Sequence, residues 1–246
     1  MTKYILFDTE TTGNQEEDKI IQIGAMILDN SSNIDIFDEL CSSDVAIKFE
    51  AMEVHNITPD ILETKGKFVE TKFYSKLLEY NSSNNYLIAH NINFDLGMLK
   101  KEGFENRYTL IDTLRCVKHL LPDSPYHRLQ YLRYSLELYK IEKQEAQKLG
   151  VEIKAHDAIG DVLIMKLLLS HIVKLVKSKF PQERDIMAKL AELTKTPVLM
   201  TKFKFGKYKD ESIEDVANKD NGYIQWMYKS LELDEDMKYT LQQYIY

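Results

Sequence analysis

Two cysteines, Cys41 and Cys116, are too few for a disulfide framework, and their spacing suits no zinc site. A single bridge between them stays open, and a reducing cytoplasm is the expected setting. No stretch reads as a membrane span. The most apolar one, beginning at Val162, is interrupted by Lys166, Ser170, His171 and Lys174, as in a buried or amphipathic helix. No basic, apolar leader precedes the first strand pattern. Internal repeats and low-complexity runs are absent as well.

Positive charge is also in deficit, with 32 Lys and Arg against 39 Asp and Glu and a formal net charge of −7. The deficit is uneven. Residues 171–209 hold ten bases against three acids, whereas residues 210–246 hold nine acids against three bases. The basic segment reads either as a solvated helix face or as a local track for phosphates, which needs local and not overall positive potential. With 246 residues, 44% of them hydrophobic, the chain can bury one large core and carry a small appendage.

The opening reads as three strands in an antiparallel meander: Tyr4 onward, Lys19 to Asp29, and Asn33 to Cys41, with a turn at Asn30–Asn33. Helical patterns follow around Ile57 to Thr64 and Val69 to Tyr80. The apolar strand "YLIAHN" runs into the helix "NFDLGMLKK". A strand at Tyr108 to Thr113 precedes helices near Leu114 to Leu121 and His127 to Leu138, and a long helix spans about Ala158 to Val176. This order predicts an α/β fold, a mixed sheet flanked by helices. Phe180-Pro181-Gln182 reads as a linker, which predicts a domain at 1–180 and a small, mostly helical module with a basic linker at 181–246.

Four acids stand where this pattern asks for apolar residues. In "YILFDTETTG", Asp8 and Glu10 are two apart on a strand and so share a face. Asp95 shares a helix face with Met98 and Leu99, and Asp161 falls in the stripe of Ala158, Met165, Leu168 and Ile172. For any one acid a salt bridge or cap suffices, but four would need four basic partners, and the neighbouring segments offer none. Clustered carboxylates are commonly balanced by hard divalent cations, and two Mg²⁺ or Mn²⁺ ions would offset four of them. His156, five residues before Asp161, could serve the same site only from the loop or first turn before the helix. There it is a candidate base, since imidazole accepts a proton near neutral pH.

The motifs "FDTETTG", "AHNINFD" and "HDAIGD", in that order, resemble those of the DEDD-type 3′→5′ exonucleases whose third motif contains a histidine. The resemblance implies a ribonuclease-H-like fold, Asp8, Glu10, Asp95 and Asp161 as metal ligands, and His156 as general base. It also implies hydrolysis of terminal phosphodiesters by two metal ions to give nucleoside 5′-monophosphates. Nucleic acid is then the expected partner, DNA before RNA and single-stranded 3′ ends before duplex, with no membrane and the oligomeric state open. Thr9, Thr11 and Thr12 become candidates for the terminal sugar or phosphate, and Gly13 for a close backbone approach. His55, in "VHNIT", is a candidate for contact with terminal bases, and Asn91 for orienting Asp95 or capping its helix.

Farther on, "FGKYKDESIEDV" and "DNGYIQWM" resemble the small C-terminal module of exodeoxyribonuclease X-like proteins, which favours that branch over polymerase proofreading subunits; a proofreading or RNA-trimming exonuclease with the same site is the alternative. Within it Lys207 and Lys209 are candidates for backbone contact, and Tyr223 and Trp226 are expected in the module's core. A binding module without catalysis would be marked by loss of one of the five site residues, and all five are present.

Overall fold

The structure, a computed structural model, describes residues 1–29, 33–152 and 157–245. Five strands form one sheet: β1 (Tyr4–Thr11), β2 (Ile20–Leu28), β3 (Ile34–Leu40), β4 (Tyr86–Ala89) and β5 (Thr109–Asp112). Their spatial order is β3-β2-β1-β4-β5, with the first three antiparallel and β1, β4 and β5 parallel. β1 is therefore where the sheet changes from antiparallel to parallel. After β3 come α1 (Phe49–His55), α2 (Pro59–Leu62) and α3 (Lys72–Glu79). α4 (Ile92–Lys101) joins β4 to β5. α5 (Thr113–Leu120), α6 (Leu129–Ser135), α7 (Tyr139–Leu149), α8 (Ala158–Lys179) and α9 (Ile186–Lys195) follow β5. The chain closes with α10 (Ile213–Lys219), α11 (Asn221–Ser230) and α12 (Glu235–Gln242).

Strand alternation sorts the side chains onto two cores. Leu6, Met26, Ile88 and Ile111 face α5, α8 and α9, whereas Ile5, Phe7, Ile23 and Leu87 face α3 and α4. β2 is buried along almost its whole length, and the edge strand β3 is only half-buried. On that edge Glu39 accepts hydrogen bonds from the first-turn amides of Lys72 and Phe73, so it fixes the start of α3. Gly24 is the point of closest approach between sheet and helix. A Cβ there would lie 2.3 Å from the backbone of Ala158 and Ile159.

The meander, mixed sheet and long helix match the expected architecture; the turn at residues 30–32 lies outside the described residues. Two helices, α1 and α7, carry no expectation from the pattern. α1 begins with Phe49, which is 83% exposed, and α7 is predominantly polar, so neither presents a clear apolar stripe. Just after the expected division at residue 180 comes α9. Leu190, Ala191 and Leu193 of α9 pack into the α8 side of the larger core. A separate small core forms farther on, from Phe203, Ile213, Val216, Ile224, Met227, Met237 and Leu241. Tyr223 packs against it as expected, but Trp226 is 51% exposed.

Candidate active site

The site lies at the carboxyl ends of the parallel strands, at the switch in strand direction, where open α/β sheets place their ligand crevices. Asp8 and Glu10 extend the row of Tyr4 and Leu6 on the α8 side of β1. Asp161 comes from the first turn of α8, and Asp95 from the first turn of α4, on the opposite side of the sheet. Thr9, whose side chain points away from Asp8 and Glu10, donates its hydroxyl to Asp95 Oδ1 at 2.7 Å. That bond ties the start of α4 to β1 on the side of the sheet opposite Asp8 and Glu10. Asp161 accepts from Gln130 Nε2 at 2.6 Å, Gln130 Oε1 accepts from Arg133 at 3.2 Å, and Arg133 pairs with Glu142 of α7.

Burial pushes the Asp8 carboxyl well above its ordinary range, and the charges of Asp95, Glu10 and Asp161 push it the same way. Burial raises Glu10 to about 8, with Asp161, Asp157 and Asp95 adding to the rise. It raises Asp95 to about 7, opposed by the Thr9 hydroxyl and nearby amides. Among the described residues no Lys or Arg pairs with Asp8, Glu10 or Asp95. Nor, among the described residues, are three or more His, Cys, Asp or Glu side chains close enough as placed to enclose an ion. The donor chemistry still fits hard divalent cations: these are carboxylate oxygens, mutually repelling, and set where a cation would lower the cost of their ionisation.

Several candidate substrate contacts have other work. Thr12 is fully buried, donates to Asp18 Oδ1 at 2.9 Å and accepts from the Lys19 amide at 3.0 Å. Thr11 donates to the Gly13 carbonyl at 2.6 Å. Gly13 leaves room for an internal ion pair, because a Cβ would meet Asp18 Oδ2 at 2.6 Å and Lys48 at 2.7 Å. Buried Asp18 pairs with Lys48 at 2.7 Å. His55 is buried and neutral in its bonding pattern. Its Nδ1 accepts from the Ile57 amide at 3.0 Å, so Nε2 carries the proton and donates to the Thr11 carbonyl at 3.2 Å. Burial lowers its proton affinity further. These residues shape one wall of a cavity of about 490 Å³, which Glu10, Lys48, Val54 and Phe94 also line.

Asn91 occupies the N-cap position of α4, but its side chain makes no capping bond. Its amide donates to Asp112 at 2.9 Å, and Thr9 holds Asp95 instead. Lys207 is paired with Asp220 at 3.1 Å, which removes it as an unencumbered phosphate contact; Lys209 is exposed. His156 lies outside the described residues. Asp157, next to it, accepts from Gln22 Nε2 at 2.8 Å and adds charge beside Glu10. The residues that sequence reasoning missed, Thr9 as a positioning group together with Gln22, Gln130, Arg133 and Asp157, are ordinary polar residues in sequence. Only the acids break an apolar pattern.

Residues 5–169 match the family model described as "Exonuclease", and residues 203–232 match "Exodeoxyribonuclease X-like C-terminal". The chain is 27% identical over 241 residues to "Exodeoxyribonuclease 10" of Escherichia coli strain K12, covering 98% of this chain and 97% of that protein. It is 32% identical over 143 residues to "DNA polymerase III subunit epsilon" of Treponema pallidum, covering 54% of this chain and 64% of that one. Among solved structures, exonuclease X in complex with 5′ overhanging duplex DNA superposes with a TM-score of 0.53 at 22% identity, covering 76% of this chain and 99% of that one. E. coli exonuclease I with a dA16 oligonucleotide gives 0.51 at 21% identity, covering 74% and 42%. At these identities the two structures speak for the fold, a ribonuclease-H-like exonuclease fold with a helical C-terminal part.

Proposed function

The chain belongs to the exonuclease family, and from that premise we propose that it shortens DNA from single-stranded 3′ ends, releasing nucleoside 5′-monophosphates with the help of divalent metal. The carrying observation is that Asp8, Glu10, Asp95 and Asp161, from β1, α4 and α8, three elements far apart in sequence, lie near enough for the charges of the other three to act on Asp8. The match to the exodeoxyribonuclease X-like module and the DNA in the related structures support DNA as the substrate. The module match also favours this reading over a proofreading subunit.

In this mechanism Asp8, Glu10, Asp95 and Asp161 would hold two Mg²⁺ or Mn²⁺ ions. When bound, the ions supply Lewis-acid stabilisation of the scissile phosphate and lower the pKa of the attacking water. Thr9 holds the Asp95 carboxylate, and Gln130, backed by Arg133 and Glu142, holds that of Asp161, so neither has to be oriented during the reaction. His156, assigned from its place in the third motif, accepts the proton of the attacking water. The buried Asp18–Lys48 pair and His55 fix the Thr11–Gly13 turn that walls the cavity beside Glu10. They act on the terminal nucleotide through the shape of that wall.

The test uses a 5′-labelled single-stranded DNA and an RNA of the same sequence with Mg²⁺ or Mn²⁺, beside the Asp161→Ala variant. The expected result is a ladder descending from the 3′ end of the DNA, lost in the variant and in chelator. Intact DNA with wild-type protein would overturn the reading, and faster shortening of RNA would overturn the choice of substrate.

A further inference from the structure

We propose that the rim formed by Tyr126, Arg128 and the C-terminal module's Lys204 is a second nucleic-acid contact, which guides the strand upstream of the cut away from the carboxylates. The proposal rests on the exonuclease reading and adds a role for the module.

The rim begins at the site itself. Gln130, in the first turn of α6, donates to Asp161 at 2.6 Å, and Arg128 is the N-cap residue of that helix. The Arg128 guanidinium lies 5.2 Å from the centre of the Tyr126 ring, which is exposed on its other surfaces and rests edge-on against Tyr131. The segment is held in place rather than loose. His127 donates from Nε2 to the Leu121 carbonyl at 2.8 Å, and its own carbonyl accepts from His90 Nε2 at 2.9 Å.

At the other end the rim meets the module. Asp236 of α12 pairs with Arg115 at 3.1 Å and Lys118 at 3.8 Å on α5, and accepts from the Val198 amide at 2.8 Å. Arg115 also donates to the Thr196 carbonyl at 2.6 Å, and His119 donates to the same carbonyl at 3.0 Å. Lys204 of the docked module lies near enough to the Tyr126–Arg128 segment for its charge, like that of Lys118, to act on His127.

Charge and chemistry select the partner. Among the described residues neither Arg128 nor Lys204 has a carboxylate partner, in contrast to Lys207 with Asp220. Asp236 is shared by two cations, Arg115 and Lys118, so the ion pairs of the seam hold one more base than acid. Cations suit phosphates, and an exposed ring backed by a guanidinium suits a stacked base of any identity. With the 3′ end at the carboxylates, the rest of the strand must leave the site, and this rim offers it phosphate and base contacts on the way.

The test compares a long single-stranded DNA with a trinucleotide, which lacks the upstream strand that the rim is proposed to hold. Arg128→Glu and Lys204→Glu are expected to raise KM for the long strand roughly tenfold, as for loss of a stacking or phosphate contact. Each should flatten the slope of log affinity against log salt by about 0.7 and leave trinucleotide hydrolysis at the wild-type rate. Lys72→Gln on α3, across the sheet, is the control and should change neither. Equal KM for the long strand in variants and wild type would overturn the proposal and leave the rim to a protein partner; equal losses on both substrates would overturn it as damage to the site. Failure of the wild type to cut either substrate would instead overturn the exonuclease reading. Anisotropy of labelled DNA in chelator would then still test the rim by the same salt slope.

Discussion

Glu10 sits on the row of β1 that feeds the α8 core, so folding takes its carboxyl out of water and sets it beside Asp161, Asp157 and Asp95. Its folded pKa of about 8 lies above the usual 4.5, so the folded state holds the proton more tightly than the unfolded one. The linked stability is present below pH 4.5 and is lost as pH rises through about 8. Each tenfold change in proton affinity corresponds to about 1.4 kcal/mol, so the span sets an upper bound of about 5 kcal/mol. In chelator, Tm is expected to fall across that window, less steeply with Mg²⁺ present and less steeply in Glu10→Gln. A Tm independent of pH and of Mg²⁺ from 5 to 8 would contradict this account. The acids were legible in sequence because a charge inside an apolar strand or stripe is conspicuous. Thr9, Gln22 and Gln130 were not, since a threonine or glutamine fits almost any surface, and only the fold brings their polar atoms to the carboxylates. The reverse holds for Thr12 and His55. Their place in a motif suggested substrate, whereas their burial commits them to the turn.

At the scale of elements, the site depends on how closely α8 approaches the sheet. Gly24 is the register partner of Asp8 across β1 and β2, and it makes space for the start of α8, three residues before Asp161. Gly24→Ala would press a methyl group into backbone that cannot rotate away, so α8 must shift or the sheet must bend. The expected cost is about 3 kcal/mol or more, read as a lower urea midpoint, together with a loss of activity that Mg²⁺ concentration does not restore. Wild-type stability with full activity would show that the approach is not needed. Nothing in sequence singles out Gly24, because a glycine within a strand pattern can equally mark a bulge. The strands and α8 were legible because their apolar runs are long and regular. α1 and α7 were not: exposed Phe49 blurs the one, and the other buries mainly Glu142 and Ala146. Yet α7 bears on the site, since Glu142 anchors the Arg133–Gln130 relay to Asp161.

Across the whole molecule, the basic stretch between residues 171 and 209 lends side chains to two hydrophobic cores. α9 lends Leu190 and Leu193 to the larger core, and its Thr194 hydroxyl accepts from the Asp112 amide at 2.8 Å, at the end of β5. Asp112 in turn accepts from the amides of Asn91 and Leu114, which tie together the starts of α4 and α5. A chain ending at residue 180 would therefore lose part of the support under Asp95, whereas a chain ending at residue 196 would keep it. Two buried leucines are worth roughly 3–6 kcal/mol together, a large share of the stability of an ordinary domain. The shorter chain is expected to unfold at a markedly lower urea concentration and to cut even a trinucleotide poorly. The longer one should unfold near the intact protein's midpoint and retain trinucleotide hydrolysis, while losing affinity for long strands along with Lys204. If the two truncated chains proved equally stable, α9 would belong to the module after all, and the larger core would close without it.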